Sequence, residues 1–250
     1  MENRFRGLYL FLSSIVISLI HLSFGFAKNT GQLARHLLTP GDSIATHPAD
    51  STYFTPEIKS AYDSLHLNLQ GLSREAYAFA RQGLEKLAAQ GKILNQSVIS
   101  IVDFSLPSTE KRLFIIDLDQ YKILFQTLVA HGRNTGRERA VSFSNAPSSF
   151  KSSPGFYITR ETYQGSNGYS LKLEGMERGI NDNAYERGIV IHGAEYVNEQ
   201  LAQAQGYIGR SQGCPAVPET LARPIINRIK NGSLVFIYHP AYVQRSALLN

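Results

Sequence analysis

The sequence predicts a mostly β, α+β domain that follows a pair of helices. From Ser97 onward, short segments rich in Ile, Val, Phe and Tyr alternate with turn residues, a pattern typical of β-strands. Upstream of them, apolar residues recur at helical spacing between Thr55 and Gly91. The chain has 250 residues, of which 43% are hydrophobic and 18% charged, so it can bury a sizeable core.

The N-terminus has the composition of an export signal. Two arginines precede an apolar run at 8–20, and the small residues Gly25 and Ala27 are placed for cleavage after Ala27. The run is short for a bilayer span, and an uncleaved membrane anchor is the alternative. We expect a signal peptide at 1–27, an exported protein, and no stable membrane partner beyond that signal. The polar, proline-broken residues 28–54 predict a linker.

Two helices are predicted ahead of the strands. The first opens at Thr55 and ends at Gly71, and the second is capped by Ser73 and ends at Gly91. Apolar residues line one face of each helix: Ile58, Tyr62, Leu65 and Leu69, then Tyr77, Ala80, Leu84, Leu87 and Ala88. Because two short helices bury little by themselves, we expect this lead-in, residues 55–92, to pack on the domain that follows.

The predicted domain covers residues 97–243. Strand-like segments lie at 97–105, 111–118, 121–130, 155–163, 169–176, 187–193 and 233–240. Asp119-Gln120 predicts a tight hairpin, and the Gly-Ser-Asn-Gly sequence at 165–168 predicts another. Helices are predicted at 195–205 and at 218–231, the latter kinked or divided by Pro224.

Cys214 is the only cysteine of the chain and lies in the sequence GRSQGCPAVPET. A lone thiol cannot form an intramolecular disulfide, and it is at risk of oxidation outside the cytoplasm. One interpretation is a buried thiol that serves as a small hydrophobic group. The other is a nucleophile, because His192 ends a predicted strand and a strand–helix–loop excursion can return the chain to it. A thiol beside an imidazole is suited to acyl transfer through a thioester.

The residues around the thiol favour the second interpretation. Gly213 permits a sharp backbone turn and leaves room for a substrate. The N–H groups of Gly213 and Cys214 are candidates for holding an oxyanion, whereas Pro215 has no N–H. An activated thiol of this kind is expected to react with iodoacetamide near neutral pH much faster than free cysteine.

Two separated stretches, SSPGFYIT at 152–159 and IHG…SQGCPAV at 191–217, resemble the YkuD-type L,D-transpeptidases over roughly residues 97–240. The resemblance implies a β-sandwich-like catalytic domain with short helices. It also implies Cys214 as the nucleophile and His192 as the general base. Gly193, Ser211 and Gly213 match further positions of the family motifs, and so does the upstream element Ser153-Pro154-Gly155. By this resemblance, Ser153 and Gly155 are candidates for substrate binding.

The sequence departs from that pattern at three points. Gln212 stands where the family usually has a second histidine, and Pro215-Ala216 replace an apolar residue and the Arg or Asn that usually follows. The spacing from His192 to the cysteine is also slightly longer than usual. The usual carboxylate-binding arginine is therefore unassigned, and Arg210 and Arg187 are the candidates.

The resemblance implies an enzyme of the bacterial periplasm or cell envelope that acts on peptidoglycan stem peptides. Its cysteine attacks the carbonyl of the third stem residue, expels the terminal D-alanine, and passes the acyl group to an amine. Water as the acceptor would make the enzyme an L,D-carboxypeptidase or an amide hydrolase. A non-catalytic envelope-binding protein is the alternative from another class. No metal and no organic cofactor are implied.

Other polar residues have weaker interpretations. Asn181 and its neighbour Asp182 either line a substrate groove or form a polar turn, and His131 follows a strand that can approach the cleft. The arginines of the 131–139 loop are interpreted as a solvated face: Arg133, Arg137 and Arg139.

Charge and spacing exclude two further classes of site. His192 and Glu195 have no second pair of metal ligands near them, whereas zinc usually takes three or four ligands. The net charge of +5 comes without a basic run, so it fits an anionic cell-wall polymer better than nucleic acid.

Overall fold

Strands dominate the fold, as the sequence predicts. The computed structural model describes residues 60–250, which lie within the unit Thr55–Asn250. The predicted signal peptide, the predicted linker and the start of the first predicted helix lie outside the described residues. The strands are β1 (Asn95–Asp103), β2 (Leu113–Asp117), β3 (Lys122–Thr127), β4 (Gly155–Gly165), β5 (Gly168–Gly175), β6 (Val190–Ala194), β7 (Ala216–Pro218) and β8 (Ser233–Tyr238). The helices are α1 (Ala61–Ser64), α2 (Arg74–Ala89), α3 (Glu199–Gln205), α4 (Glu219–Ile229) and α5 (Pro240–Val243).

These strands form one mixed sheet in the order β3-β2-β1-β8-β4-β5-β6-β7. The pairs β1–β8 and β6–β7 are parallel, and the remaining neighbours are antiparallel. The sheet almost closes on itself, because the Ala130 N–H, just beyond β3, donates to the Ala216 carbonyl of β7 at 2.8 Å. The predicted class, mostly β with short helices, is confirmed.

Both predicted hairpins form. Asp117 pairs with Lys122 across the first turn, and the Asp117 Oδ1 accepts from the N–H groups of Asp119 at 3.1 Å and Gln120 at 2.9 Å. In the second hairpin Gly165 pairs with Gly168, which leaves a two-residue turn.

The sheet buries both of its faces. Alternate strand residues pack against α2 on one face, through the buried side chains Ala76, Ala80, Leu84 and Leu87. On the other face they pack against α4, through Ala222, Ile225, Ile226 and Ile229. The helical lead-in therefore covers a face of the sheet within the described residues, and α4 fills the side of the sheet that carries β6 and β7.

The helix boundaries differ from the prediction in three places. The described part of the first helix, α1, has four residues, because His66 takes a left-handed conformation (φ 49°) and the chain continues as turns to Gly71. Leu69, predicted on its apolar face, is 78% exposed. Helix α3 begins only at Glu199, because the Asn198 side chain caps it by accepting from the Leu201 N–H. Helix α4 continues through Pro224, so the divided alternative is wrong and the kinked one stays a prediction.

No helix within residues 60–250 is long and apolar enough to cross a membrane.

Candidate active site

The parallel pairing of β6 with β7 brings the segments that carry His192 and Cys214 together. His192 on β6 lies opposite Ala216 on β7, and Cys214 lies two residues before the start of β7. Helix α3 and the loop that follows it form the excursion between the two strands. The side chains of Cys214 and His192 line the same cavity, whose volume is about 530 Å³.

The imidazole of His192 is buried and oriented by the backbone. Its Nδ1 lies 2.8 Å from the Gly193 carbonyl, so Nδ1 carries the proton and donates it. The second ring nitrogen, Nε2, is thereby left unprotonated and able to accept a proton. Burial lowers the pKa of His192, an effect that the Gly193 hydrogen bond opposes. The ring is therefore a neutral base near neutral pH.

The thiol of Cys214 is half-buried at the cavity wall. Its Sγ donates to the Gly188 carbonyl at 3.6 Å, and within residues 60–250 no direct hydrogen bond joins the sulfur to the imidazole. Burial raises the pKa of Cys214, while a backbone hydrogen bond from Val190 and the charge of Arg187 act in the opposite direction. The resting thiol is therefore protonated at neutral pH, which does not favour the fast alkylation expected from the sequence.

Ser211 shapes the loop that carries the thiol. Its Oγ donates to the Cys214 carbonyl at 2.6 Å and accepts from the Gly213 N–H at 3.0 Å. The Gly213 N–H, one of the two candidate oxyanion donors, is thus engaged inside the loop. The Cys214 N–H has no hydrogen-bond partner among residues 60–250 and remains available.

Two outer segments clamp this loop. The Ser211 backbone is paired with the 131–133 segment, through its N–H to the His131 carbonyl at 3.0 Å and its carbonyl to the Arg133 N–H at 2.8 Å. From the second segment, the Ser152 Oγ donates to the Gly213 carbonyl at 3.1 Å. Gly213 has φ +124°, and a side chain there would lie 2.9 Å from the Lys151 carbonyl oxygen, so only glycine fits.

His131 lies behind the cavity and does not line it. It is fully buried, accepts from the Arg112 Nη2 at 2.8 Å through Nδ1, and donates from Nε2 to the Gly136 carbonyl at 3.2 Å. Burial, then the charge of Arg112, lowers the pKa of His131 to about 3, so this histidine stays neutral. Its contacts are those of a residue that positions the 131–133 segment.

The residues predicted from the sequence to bind substrate or to support the cysteine loop separate into two groups. Arg187, Arg210, Ser211 and Gln212 line the cavity. Ser153, Gly155 and Asn181 do not. Asn181 is fully buried and donates to the Pro154 carbonyl at 3.2 Å and the Phe156 carbonyl at 3.0 Å.

Ser153 and Gly155 likewise have structural contacts. The Ser153 Oγ donates to the Ser144 carbonyl at 2.8 Å and accepts from Arg187 at 2.7 Å. Gly155 has φ +112°, and a side chain there would lie 2.5 Å from Glu177 and 2.7 Å from Asn181. Gly193 is also small for a packing reason, because an added Cβ would lie 3.0 Å from Ala222 of α4. These residues support the loops around the cavity.

Several residues line the cavity that the sequence did not predict there: Ser148, Phe150, Ser166, Asn167, Ile189 and Tyr196. Arg133, predicted to lie on a solvated face, lines the cavity as well. Burial, then the nearby Cys214, raises the pKa of Tyr196 to about 12. The Tyr196 ring packs against Gly209, where any side chain would overlap it. The others reach the cavity from separate loops, which no local pattern predicts.

Within the described part of the chain, no group of three or more His, Cys, Asp or Glu side chains could hold a metal ion.

Comparisons with known proteins found similar solved structures and a matching family model. Structural matches include an L,D-transpeptidase from Mycobacterium smegmatis, with 11% identity over 57% of this chain and 59% of that one at a TM-score of 0.36. The helical cell shape determining protein Pgp2 from Campylobacter jejuni matches with 15% identity over 57% and 48%, at a TM-score of 0.39. The L,D-transpeptidase (Yku) from Stackebrandtia nassauensis matches with 14% identity over 64% and 65%, at a TM-score of 0.35.

The chain thus spans about half to two thirds of the length of these structures. No curated protein matches the sequence. The model of the YkuD_2 family, the L,D-transpeptidase catalytic domain, matches residues 68–238, which include α2, both loops that clamp Cys214 and all eight strands of the described sheet. The chain belongs to the L,D-transpeptidase catalytic-domain family.

Proposed function

We propose that this protein is an exported L,D-transpeptidase that transfers acyl groups between peptidoglycan stem peptides through a thioester on Cys214. The observation that carries the proposal is the shared cavity of Cys214 and His192, with the imidazole Nε2 left free by the bond from Nδ1 to Gly193. Family membership supports the reaction class, and the apolar run at 8–20 supports export.

The reaction begins with a neutral thiol. As Sγ bonds to the carbonyl carbon of the third stem residue, Nε2 of His192 takes the thiol proton. The carbonyl oxygen becomes an oxyanion, which the free Cys214 N–H can stabilise. When the tetrahedral intermediate collapses, the C–N bond breaks, and the departing amine of the terminal residue takes the proton from His192. A thioester on Cys214 remains.

The second half of the reaction reverses these roles. An acceptor amine attacks the thioester carbonyl and loses its proton to His192. The C–S bond then breaks, the sulfur recovers the proton, and the new amide leaves. Water in place of the amine would yield a carboxylic acid, which is the L,D-carboxypeptidase alternative.

The non-catalytic alternative rests on Gln212, which replaces a family histidine. Gln212 is exposed at the cavity. The proposed nucleophile, the proposed base and a free backbone N–H nevertheless need no side chain from that position. This arrangement favours an enzyme over a binding protein.

Product analysis after incubation with purified peptidoglycan tests the proposal. We expect new 3–3 crosslinks with the wild-type protein and none with Cys214→Ala or His192→Gln, provided that both variants remain folded by circular dichroism. Bare tripeptides without crosslinks would identify the carboxypeptidase instead. Turnover by Cys214→Ala, or no product with the wild type on any stem peptide, would overturn the proposal.

A further inference from the structure

The cavity is cationic and has no carboxylate to balance it. Arg133, Arg187 and Arg210 line it, and none of the lining residues is Asp or Glu. Uncompensated guanidinium groups around a concave site raise the local concentration of anions. An arginine can bind such an anion only if its N–H groups are not already bonded to the protein.

Both terminal nitrogens of the Arg187 guanidinium are engaged by the protein. Its Nη1 donates to the Ser144 carbonyl at 3.0 Å and the Ser153 Oγ at 2.7 Å, and its Nη2 donates to the Ser149 Oγ at 3.2 Å and the Lys151 carbonyl at 2.7 Å. These bonds tie the 144–153 loop to the wall of the cavity. To bind a substrate carboxylate through these nitrogens, Arg187 would have to break its hydrogen bonds to that loop.

Arg133 has the opposite arrangement. Its guanidinium lies over the ring of Phe150, 3.9 Å from the ring centroid, and within residues 60–250 it makes no hydrogen bond or ion pair. Its backbone is fixed to the cysteine loop through the 2.8 Å bond to the Ser211 carbonyl. A stacked guanidinium keeps its N–H edge free for a planar, bidentate contact with a carboxylate.

The backbone beneath Arg133 is held in an unusual conformation. Ser148 and Phe150 have φ values of 53°, in the left-handed region that favours glycine. Asn134 stabilises this conformation, because its N–H donates to the Phe150 carbonyl at 3.1 Å and its Nδ2 to the Ser149 carbonyl at 2.9 Å. Such strain is retained where the surrounding structure enforces it, and it concentrates at functional sites. Here it places the Phe150 ring under the guanidinium.

Arg210 reinforces the same position. Its Nη1 donates to the backbone carbonyls of Arg133 at 3.3 Å and Gly136 at 3.2 Å, and its side chain lines the same cavity as Arg133. Both guanidinium groups keep N–H groups that make no hydrogen bond among residues 60–250, so both can donate to an anion in the cavity.

We propose that Arg133, assisted by Arg210, binds a carboxylate of the acyl-donor peptide and thereby selects donors that carry it. The inference rests on the proposed function, because it takes a stem peptide as the donor. Two carboxylates of such a peptide have the required chemistry: the C-terminal carboxylate and the side-chain carboxylate of a diaminopimelate in the third position. Arg187 has a positioning role in this assignment.

Substitution of Arg133 and a matched arginine, combined with three donor peptides, tests the proposal. Arg137 is the control: it lies on the same loop and stacks over Tyr207 at 4.6 Å, but it does not line the cavity. The donors are a tetrapeptide with diaminopimelate and a free C-terminus, its C-terminal amide, and the free acid with lysine in place of diaminopimelate.

We expect Arg133→Gln to raise KM for the first donor about tenfold with kcat little changed, as the loss of one charge-assisted contact predicts. The effect should disappear with the one donor that lacks the bound carboxylate, which identifies that carboxylate. Arg137→Gln should match the wild type with all three donors. Equal losses with every donor, or no loss with any, would overturn the assignment.

Binding to a Cys214→Ala protein separates this inference from the proposed reaction. Calorimetry with the first donor should show about tenfold weaker affinity when Arg133→Gln is added to Cys214→Ala. If the wild type shows no turnover but this difference appears, the carboxylate site stands and the acyl-transfer proposal fails. If turnover occurs but the affinities are equal, the carboxylate assignment fails alone.

Discussion

Burial shifts the pKa values of Cys214 and His192 in opposite directions, because burial favours the neutral form of each side chain. A thiol is neutral when it carries its proton, whereas an imidazole is neutral when it has lost one. Burial raises the pKa of Cys214 and lowers the pKa of His192. The resting site therefore contains a thiol and a neutral imidazole, not a thiolate–imidazolium pair. In the proposed reaction, the histidine therefore acts as a general base only while the sulfur attacks the substrate.

The alkylation rate of Cys214 measures the state of the thiol. Because the folded pKa of the sulfur is raised above its ordinary value of 9.0, the rate with iodoacetamide should keep rising through pH 9 and should be slower at pH 7 than that of free cysteine. Mass spectrometry of the time course gives the rate at each pH. A fast rate that is constant from pH 6 to 8 would indicate an ion pair and contradict the neutral site.

Activity should depend on pH through His192. A protonated imidazole cannot accept the thiol proton, and the pKa of His192 is lowered from its ordinary value of 6.5. We therefore expect kcat/KM to be retained down to pH 6.5 and to fall as the pH decreases below it. An acid limb centred above pH 6.5 would contradict this assignment.

At the scale of elements, the site depends on how the loop before β7 is held. Ser211 makes two of the bonds that set its shape, one to the Cys214 carbonyl and one from the Gly213 N–H. The loop then pairs with the 131–133 segment and with Ser152, so its position depends on two parts of the chain far away in sequence.

Ser211→Ala should therefore reduce catalysis. Each of the two lost hydrogen bonds contributes about 1 kcal/mol to the free energy that holds the loop in place. We therefore expect kcat to fall about tenfold or more. Ser170→Ala is a matched control, because Ser170 is also buried and bonds the Gly168 carbonyl at 3.1 Å, but it lies on β5 and does not line the cavity. Equal kcat values for the two variants would contradict a role for Ser211 in positioning the nucleophile.

Elements defined by local chemistry were predictable from the sequence. The 165–168 hairpin follows from its glycines, and the start of α2 follows from Ser73, whose side chain accepts from the Ala76 N–H at 3.1 Å. The end of α1 was not predictable, because the left-handed turn at His66 depends on tertiary contacts such as the bond from the Tyr62 hydroxyl to the Leu72 carbonyl at 2.7 Å.

The same distinction applies to the site. Cys214 and His192 belong to one strand–helix–loop unit with a family motif, and both line the cavity. Arg133 and Phe150 come from loops whose positions relative to that unit are set by the nearly closed sheet. Local pattern therefore could not distinguish Arg133, at the cavity, from Arg137, outside it.

For the whole molecule, the helical lead-in is tied closely to the sheet. Gly83 of α2 faces the ring of Phe156, which is fully buried and stacked on Phe236 at 4.3 Å between centroids. A Cβ at this position would overlap the Phe156 ring. The helix therefore approaches the sheet more closely than a side chain at 83 would permit.

Gly83→Ala should destabilise the fold by about 1–3 kcal/mol through overpacking, although alanine favours a helix over glycine by about 1 kcal/mol. Ala78→Gly on the exposed face of α2 is the control and should cost about 1 kcal/mol through propensity alone. Urea unfolding of both variants gives the two free energies. A stabilised Gly83→Ala protein would show that α2 does not pack tightly on the sheet.

The central claim of the proposed function is a covalent intermediate on the sulfur of Cys214. The most direct measurement is the intact mass of the protein after brief mixing with a stem tetrapeptide and acid quenching. We predict an added mass equal to that of the peptide minus that of the free amino acid it releases, located on Cys214 and absent from Cys214→Ala and His192→Gln. Product formation without an adduct on Cys214 in any quenched sample, together with turnover by Cys214→Ala, would contradict the account.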